Sequence, residues 1–311
     1  MRYRLFGRTG LRVSELFLGA MRFGDVDQAT QIINQYAEAG GNVIDTADAY
    51  GTSEDVVGKV LAGRRDRFVL ASKYSLSRDE SDVNATGNHR KNLTLALESS
   101  LRRLRTDYLD IYWVHFWDRH TPIEETQRAL DDAVRAGKLL YAGISDAPAW
   151  VVSRANTLAE WRDWTPFAGL QVPYNLLQRD IERELLPMAE AFGMTVAAWA
   201  PLGQGKLARA DAVGENDRER AVLSTLKDVA AELDATPAQV ALAWTRAHSR
   251  AIHPLAGASS ARQLSDLLAG LELQLPGEAV ARLEAATGFR LGFPGDFLVP
   301  DMLGPDRVEG R

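Results

Sequence analysis

The chain has 311 residues, of which 46% are hydrophobic and 25% charged, and it contains no cysteine. This composition is typical of a globular protein with a sizeable core. The lack of cysteine excludes disulfides, thiolate nucleophiles and cysteine-ligated metals. A net charge of −6 argues against nucleic acid as a partner. No apolar run has the length of a signal peptide or a membrane span, so we expect a cytoplasmic protein without membrane contact.

After a predicted β-hairpin over residues 3–13, short apolar runs alternate with amphipathic segments. The apolar runs predict strands at 16–18, 42–45, 67–73, 109–114, 139–145, 169–172, 195–199 and 252–255. The amphipathic segments predict helices at 28–39, 53–61, 92–104, from 121 onward, 150–161, 181–192, 218–233, 237–247 and 261–268, and a further one at 278–285. Proline at position 122 with acidic residues at 124 and 125 is typical of a helix start.

Eight strand–helix units without a linker or a composition shift predict one domain over residues 1–311. The predicted fold class is α/β, a (β/α)8 TIM barrel with an N-terminal β-hairpin, extra C-terminal helices and a Gly/Pro-rich tail. A doubly wound sheet is the alternative. It is disfavoured because the glycines from Leu18 to Gly24 do not have the Gly-x-Gly-x-x-Gly spacing of a dinucleotide-binding turn.

Polar side chains stand at the carboxyl ends of three consecutive predicted strands. Asp45 ends one strand, Lys73 ends the next and His115 follows the third, while Tyr50 lies on the loop after Asp45. In a (β/α)8 barrel the active site lies at this face, so we expect these side chains to converge. A buried carboxylate needs a cationic partner, and Lys73 is the candidate partner of Asp45.

These four side chains suit the protonation of a carbonyl oxygen while a cofactor delivers hydride. A tyrosine is a poor proton donor at neutral pH because its pKa is near 10. We expect the Lys73 ammonium to lower the pKa of Tyr50, and Asp45 to keep the lysine charged. His115 can orient the carbonyl oxygen. The histidines are too scattered to form a metal cluster, and no Ser-His-Asp nucleophile is recognisable.

The motifs around these residues resemble those of aldo-keto reductases nearly from end to end. They are, in chain order, Leu18-Gly19-Ala20-Met21, Asp45-Thr46-Ala47-Asp48-Ala49-Tyr50-Gly51, Ala71-Ser72-Lys73, Trp113-Val114-His115, Gly143-Ile144-Ser145-Asp146, Leu170-Gln171-Val172-Pro173-Tyr174-Asn175, Trp199-Ala200-Pro201-Leu202-Gly203 and Gly257-Ala258-Ser259-Ser260-Ala261-Arg262-Gln263-Leu264. Each motif alone is weak, but their order and spacing together are specific. The resemblance implies that Tyr50 is the general acid, assisted by Lys73, Asp45 and His115.

The resemblance also implies a bound NADP(H), which aldo-keto reductases hold without a Rossmann motif. Ser145, Asp146 and Gln171 would hold the nicotinamide amide, and Trp199 would stack on the ring. The residues after Trp199 would line the pyrophosphate, and those after Gly257 the adenosine end. The implied cofactor-binding set is Gly19, Met21, Ser145, Asp146, Gln171, Trp199, Pro201, Leu202, Gly203, Gly205, Gly257, Ser259, Arg262, Gln263 and Asp266.

The sequence departs from the family pattern at three places. Position 146 is Asp where Asn is usual, which predicts a charge that tunes cofactor affinity. Leu267 stands where an Asn commonly contacts the adenine. The stretch after Leu207 is short, so we expect a trimmed cofactor loop and faster cofactor exchange.

The predicted function is an NADPH-dependent reductase of a small aldehyde, ketone or ketosugar. Three residues that follow strand ends are candidates for the substrate pocket, and they are Phe23, Tyr74 and Trp117. Residues 87–92 and the Trp117-Asp118 pair also resemble nucleotide-sugar ketoreductases of secondary metabolism. The motif from Gly257 to Leu264 resembles the potassium-channel β subunits, so a cofactor-sensing subunit with little turnover is a further alternative. The substrate, the choice between monomer and homo-oligomer, and the preference for NADPH over NADH stay open.

Overall fold

The computed structural model describes residues 1–209 and 211–298. This part of the chain contains ten strands: β1 (Tyr3–Leu5), β2 (Arg12–Ser14), β3 (Phe17–Gly19), β4 (Val43–Asp45), β5 (Val69–Tyr74), β6 (Leu109–Val114), β7 (Leu139–Ser145), β8 (Phe167–Pro173), β9 (Thr195–Trp199) and β10 (Ile252–Gly257). It also contains ten α-helices: α1 (Val26–Glu38), α2 (Ser53–Val60), α3 (Arg90–Leu104), α4 (Ile123–Arg135), α5 (Ala149–Arg162), α6 (Leu185–Ala191), α7 (Asp217–Glu232), α8 (Pro237–Ala247), α9 (Ala261–Ala269) and α10 (Gly277–Thr287).

Strands β3 to β10 form a closed parallel barrel, and the predicted TIM-barrel fold is confirmed. Each strand pairs with the next one along the chain, and β10 closes the barrel by pairing with both β9 and β3. The strands β1 and β2 form a separate antiparallel hairpin, with Tyr3 opposite Ser14. Short strands rich in buried aliphatic residues suit a parallel sheet that is covered on both faces.

The hairpin closes the barrel at the amino ends of its strands. The Gly7 amide donates to Thr195 Oγ1 at the start of β9, 2.8 Å away. Phe6 and Trp113 are fully buried inside the barrel, and their rings meet edge to face with centres 6.1 Å apart. Glycine at 143 makes room for this packing, because a Cβ there would lie 2.2 Å from the Trp113 ring. The barrel is therefore open at its other end, where the strands' carboxyl ends lie.

The predicted helix over 181–192 is wrong in its first part. A 3-10 turn covers Asp180–Glu182, and α6 begins only at Leu185. Between them Glu184 has φ −140° and ψ −43°, which interrupts the helix. Pro187 accounts for the interruption, because proline lacks an N–H and its ring clashes with the carbonyl four residues earlier in a continuous helix. It is tolerated in α6 because it lies in the first turn.

After the barrel, α10 confirms the predicted extra C-terminal helix and packs against α7. The chain then runs beside the loop after β8, where Arg183 donates to the carbonyl oxygens of Arg290 and Leu291. The last part of the predicted tail, from 299 onward, lies outside the described residues. Among the helices that the structure describes, none has both the length and the apolar character that a membrane crossing requires.

Candidate active site

The four predicted catalytic side chains meet at the open end of the barrel. Asp45 ends β4, Lys73 lies near the end of β5, and His115 follows β6, and these three strands are adjacent. Tyr50 lies on the loop between β4 and α2. Its ring contacts His115 edge to face with centres 5.6 Å apart, and its hydroxyl lies 3.5 Å from His115 Nε2. Tyr50 is half-buried, whereas the other three side chains are buried.

Lys73 forms a completely buried ion pair at the centre of this group. Its Nζ donates to Asp45 Oδ1 and to the carbonyl oxygen of Thr46, the latter at 2.8 Å. The second carboxylate oxygen of Asp45 accepts from Gln171 Nε2 at 3.0 Å. Both carboxylate oxygens thus have donors, which is the condition under which a buried ion pair is tolerated. The Lys73 ammonium also lies 4.7 Å from the centre of the Tyr50 ring.

The net pKa shift of Tyr50 has the opposite sign to the one that the sequence predicts. Burial raises the pKa of Tyr50, and the Lys73 charge lowers it without cancelling the effect of burial. Burial lowers the pKa of Lys73, but Asp45 and Tyr50 outweigh burial and hold that pKa above its ordinary value. At neutral pH the site therefore holds a charged lysine beside a protonated phenol, which is the state that a proton donor needs.

His115 is uncharged at neutral pH. Burial, together with the nearby Lys73 charge, lowers its pKa to about 3. Its Nδ1 makes no hydrogen bond within the described part of the chain. A neutral imidazole carries one N–H donor, and the Nε2 side of the ring contacts Tyr50. His115 can therefore donate to an oxygen that lies beside the Tyr50 hydroxyl.

The residues assigned to the nicotinamide amide lie on the three strands that follow around the barrel. Ser145 ends β7 and is paired with Gln171 of β8, and Trp199 ends β9. Asp146 follows β7 directly, and its Oδ1 accepts a hydrogen bond from Trp199 Nε1 at 3.3 Å. Trp199 and Asp146 are both half-buried, so an indole face and a carboxylate border the opening together. Gln171 is also the donor to Asp45, which links this group to the buried ion pair.

The turn after β9 exposes backbone where the pyrophosphate residues are predicted. Gly203, Gln204 and Gly205 all have left-handed φ values, between 55° and 94°. A Cβ at Gly205 would meet no atom of residues 1–209 and 211–298 within 4 Å. Pro201 is buried and Leu202 half-buried beneath the turn. The amides of Gly203 and Gly205 donate to the carbonyl oxygens of Ala200 and Leu202 within the turn, so the role of this turn toward the pyrophosphate stays a prediction.

The predicted adenosine residues lie around the N-terminus of α9. Ser260 caps this helix, and Ser259 donates from its amide and its hydroxyl to Gln263 Oε1, both at 2.8 Å. Ser259 and Arg262 are exposed, so a hydroxyl and a guanidinium stand at a helix end that favours anions. Gly257 ends β10 opposite Gly19 of β3. A phosphate-bearing dinucleotide fits the chemistry of this helix end.

Two residues at this end are not free for a ligand. The carboxylate of Asp266 accepts from Gln239 Nε2 at 2.8 Å and from the Thr236 hydroxyl, so it supports the start of α8. Leu267 is buried with 3% of its surface exposed. Met21, which follows the neighbouring strand β3, is 56% exposed. The role of Asp266 toward adenosine therefore stays a prediction that this geometry does not support.

The structure brings only one of the three predicted substrate-pocket residues to the surface. Phe23 is 3% exposed, and Tyr74 is fully buried and stacked on Tyr112 outside the barrel. Tyr74 points away from the opening because neighbouring residues of a strand face opposite sides, and Lys73 takes the inner side. Trp117 is half-buried and meets Trp150 edge to face, with ring centres 5.8 Å apart.

Sequence reasoning missed two exposed aromatic rings beside the site. Phe116 is 43% exposed, and its ring lies 5.2 Å from that of His115. Trp150, the partner of Trp117, is 60% exposed at the start of α5. Trp117, Phe116 and Trp150 together form what we call the aromatic rim. The available signal was the aromatic pair at 116 and 117 directly after a strand end; the pairing with Trp150 was not recognisable from the sequence.

Sequence reasoning also missed a buried carboxylate two residues before Tyr50. Asp48 is 6% exposed, and neither of its oxygens has a hydrogen-bond donor in the described residues. The nearest cation is Arg78, whose Nε lies 3.9 Å from Asp48 Oδ2. Burial, followed by the charge of Glu54, raises the pKa of Asp48 to about 7. Glu54 is itself paired with Arg103 and accepts from the Ser72 hydroxyl at 2.5 Å.

Comparisons with known proteins identify the family of this chain. A sequence profile of the Aldo/keto reductase family matches residues 15–287. The chain is 38% identical to an aldo-keto reductase of Aspergillus calidoustus, over 96% of this chain and 85% of that protein. It is 37% identical to a norsolorinic acid reductase of Emericella nidulans, over 93% and 82% of the two chains. It is 36% identical to an NADP(+) aryl-alcohol dehydrogenase of Phanerodontia chrysosporium, over 92% and 85%. With a family profile over most of its length and relatives above 30% identity, the chain belongs to the aldo-keto reductase family.

Proposed function

We propose that the chain reduces an aryl aldehyde or aryl ketone to the alcohol, with NADPH as the hydride source and Tyr50 as the proton donor. The observation that carries this proposal is the position of the Tyr50 hydroxyl. It lies beside a neutral His115 and a charged Lys73, at the open end of a barrel that is bordered by the aromatic rim.

The proposed chemistry uses each of the four side chains. When bound, the reduced nicotinamide supplies a hydride for the carbonyl carbon. Tyr50 donates its phenolic proton to the carbonyl oxygen, and this completes the alcohol. Lys73 stabilises the phenolate that Tyr50 becomes, and Asp45 keeps the lysine charged and in place. His115 donates its N–H to the carbonyl oxygen and holds it near the Tyr50 hydroxyl.

Two observations support NADPH over NADH. The exposed Ser259 and Arg262 stand at the N-terminus of α9, where a helix end and a guanidinium both favour the additional phosphate of NADPH. The Phanerodontia chrysosporium relative is named an NADP(+) enzyme. Ser145, Asp146 and Gln171 would hold the nicotinamide amide, with Trp199 beside the ring.

The aromatic rim supports an aryl substrate. Phe116 lies beside His115, Trp150 lies beside Trp117, and both expose large apolar surface. Aromatic rings pair favourably with one another in stacked or edge-to-face arrangements. The Phanerodontia chrysosporium relative is named for an aryl alcohol. A ketosugar would need several polar partners at the opening, which the rim does not offer.

The test combines cofactor titration with turnover on matched carbonyls. Quenching of protein fluorescence by NADPH and by NADH would be measured in the wild type and in Tyr50→Phe. Turnover would be compared among benzaldehydes, aryl ketones, aliphatic aldehydes and a nucleotide-linked ketosugar. We expect NADPH binding in both proteins, a preference for aryl carbonyls, and a loss of turnover of about 10²–10⁴-fold in Tyr50→Phe.

Tyr108→Phe is the matched control, because that hydroxyl contacts Asp66 at an exposed position away from the barrel opening. It is expected to keep full turnover. Failure to bind either nucleotide would overturn the proposal. Tight binding without turnover on the whole panel would favour a cofactor sensor, and turnover restricted to the nucleotide-linked sugar would favour a ketoreductase of nucleotide sugars.

A further inference from the structure

Asp146 has a backbone conformation that fixes its carboxylate at the barrel opening. Its φ is +45°, in the left-handed region that few residues other than Gly, Asn and Asp adopt readily. Its amide donates to the Gln171 carbonyl at 3.3 Å, which holds the residue against β8. Its Oδ1 accepts from Trp199 Nε1 at 3.3 Å.

The charge of Asp146 reaches the groups at which the chemistry occurs. Lys73 lowers the pKa of Asp146, although burial outweighs it and raises that pKa overall. Conversely, Asp146 is one of the charges that raise the pKa of Tyr50, after burial and Asp45. Among the four ionisable groups Asp45, Lys73, His115 and Asp146, the first two offset each other and the imidazole is neutral. Ionised Asp146 leaves this group of four with a net negative charge.

Hydride transfer changes the charge of the nicotinamide ring. A reduced nicotinamide ring would be neutral in this site, an oxidised ring would carry a positive charge, and the rest of the dinucleotide would have the same charge in both. A ring held by Ser145, Asp146 and Gln171, as proposed above, would stand beside the Asp146 carboxylate. Its charge would therefore interact with the same carboxylate that acts on Tyr50.

We propose that Asp146 makes the site bind the oxidised nicotinamide more tightly relative to the reduced one, and so makes the bound reduced cofactor a stronger hydride donor. This inference rests on the proposed function, because it needs a nicotinamide beside Tyr50. Opposite charges attract one another more strongly at the effective dielectric of a partly buried site than in bulk water. After screening at the open side, we expect a change of about tenfold in the affinity for the charged ring.

The variant Asp146→Asn tests the charge alone. Asparagine has nearly the same shape, tolerates the left-handed φ, and keeps an oxygen that accepts from the Trp199 indole. The dissociation constants of NADP+ and of NADPH would be measured separately by titration. We expect the dissociation constant of NADP+ to rise about tenfold and that of NADPH to change less than about twofold, because only the oxidised ring is charged.

A matched control is available at a second left-handed aspartate. Asp163 has φ +52° and is exposed at the end of α5, toward the opposite end of the barrel. Asp163→Asn removes the same charge from the chain and should leave both dissociation constants unchanged. Asp146→Gly is a second test variant that also tolerates the left-handed φ, and it should weaken NADP+ binding more than NADPH binding.

The outcomes separate this inference from the proposed function. Equal weakening of both forms in Asp146→Asn would mean that the residue only shapes the pocket, and would overturn the inference. An unchanged ratio of the two constants in Asp146→Asn and Asp146→Gly would overturn it as well, while leaving the reductase proposal intact. Absence of any nicotinamide binding by the wild type would overturn both.

Discussion

The ammonium of Lys73 lies 4.7 Å from the centre of the Tyr50 ring, and the lysine is completely buried. Burial raises the pKa of Tyr50. The Lys73 charge is the largest effect that lowers it, because water cannot screen this charge. The ion pair of Lys73 with Asp45 is therefore more than a packing feature. It sets how readily Tyr50 gives up its proton.

Lys73→Met should reduce turnover by about 10²–10³-fold, because the phenolate of Tyr50 loses its stabilising charge. The pKa of Tyr50 should rise further above its ordinary value. In the alcohol-oxidation direction, where the phenolate acts as base, the pH profile should move to higher pH. The measurement is the pH dependence of kcat in both directions. Lys59→Met, at an exposed position on α2, is the control and should show no shift.

The same variant should also lose stability, since it leaves the buried Asp45 without its cation. Breaking a buried pair in this way costs about 3–5 kcal/mol of unfolding free energy. The double variant Lys73→Met/Asp45→Asn should recover part of this loss, because it removes the uncompensated charge. Urea unfolding of the three proteins gives the comparison, and a double variant less stable than Lys73→Met would contradict the argument.

The buried Asp48 should make the protein less stable as the pH rises. Burial and Glu54 raise its pKa to about 7, whereas the unfolded chain has an ordinary aspartate. Between roughly pH 4 and pH 7 the unfolded state therefore releases a proton that the folded state keeps. The contribution of protonated Asp48 to the free energy of unfolding is fully present at acid pH and is lost as the pH rises through 7. Three pKa units correspond to about 4 kcal/mol.

Asp48→Asn should consequently stabilise the protein at pH 8 by up to about 4 kcal/mol and change little at pH 4. Denaturant titrations at the two pH values make the measurement. Asp228→Asn, on the exposed face of α7, is the control, and its effect on the free energy of unfolding should be the same at both pH values. An equal effect of Asp48→Asn at pH 4 and pH 8 would show that the carboxylate is already ionised in the folded state.

His115 has the opposite pH dependence. Burial and Lys73 lower its pKa to about 3, while an unfolded histidine titrates near 6.5. As the pH falls below 6.5, the unfolded state takes up a proton that the folded state refuses, so stability declines until about pH 3. His115→Gln removes this penalty. Its free energy of unfolding relative to that of the wild type should therefore rise by about 3 kcal/mol when the pH is lowered from 8 to 4. His120→Gln, which is exposed, should show no such gain.

Much of this site was predictable because strand order and strand ends follow from local patterns. Asp45, Lys73 and His115 each close an apolar run, and a parallel barrel gathers such ends at one face. The buried position of Tyr74 outside the barrel also followed from the sequence, because side chains alternate along a strand and Lys73 already faces inward. The break before α6 also had a local signal in Pro187.

The features that the sequence did not reveal all depend on residues far apart in the chain. Gln171 and Asp45 are separated by 126 positions, and their hydrogen bond exists only after the barrel closes. The hydrogen bond from Gln239 to Asp266 likewise depends on how α8 and α9 pack. Whether the buried Asp48 has a cation near it depends on where the loop that carries Arg78 lies. Local periodicity carries no information about such contacts.

The loop after β8 offers a last prediction, because two neighbouring arginines there form ion pairs in different surroundings. Arg179 is 7% exposed and binds Glu182 through two nitrogens, and it also donates to the Thr287 hydroxyl at the end of α10. Arg183 pairs with Asp180 at an exposed position. Burial raises the pKa of Glu182, but donors that include Arg179 outweigh it and lower that pKa to about 2.

Arg179→Ala should destabilise the protein by about 3–5 kcal/mol, because it leaves a buried carboxylate without its cation and releases α10 from the loop. Arg183→Ala should cost less than about 1 kcal/mol from its exposed ion pair. The lowered pKa of Glu182 gives a second readout. Ionised Glu182 contributes to stability above an ordinary glutamate pKa, and this contribution is lost as the pH falls toward 2. The difference in unfolding free energy between Arg179→Ala and the wild type should therefore shrink at pH 3. Equal losses for the two arginines, or a difference independent of pH, would show that α10 is held by its apolar contacts with α7 instead.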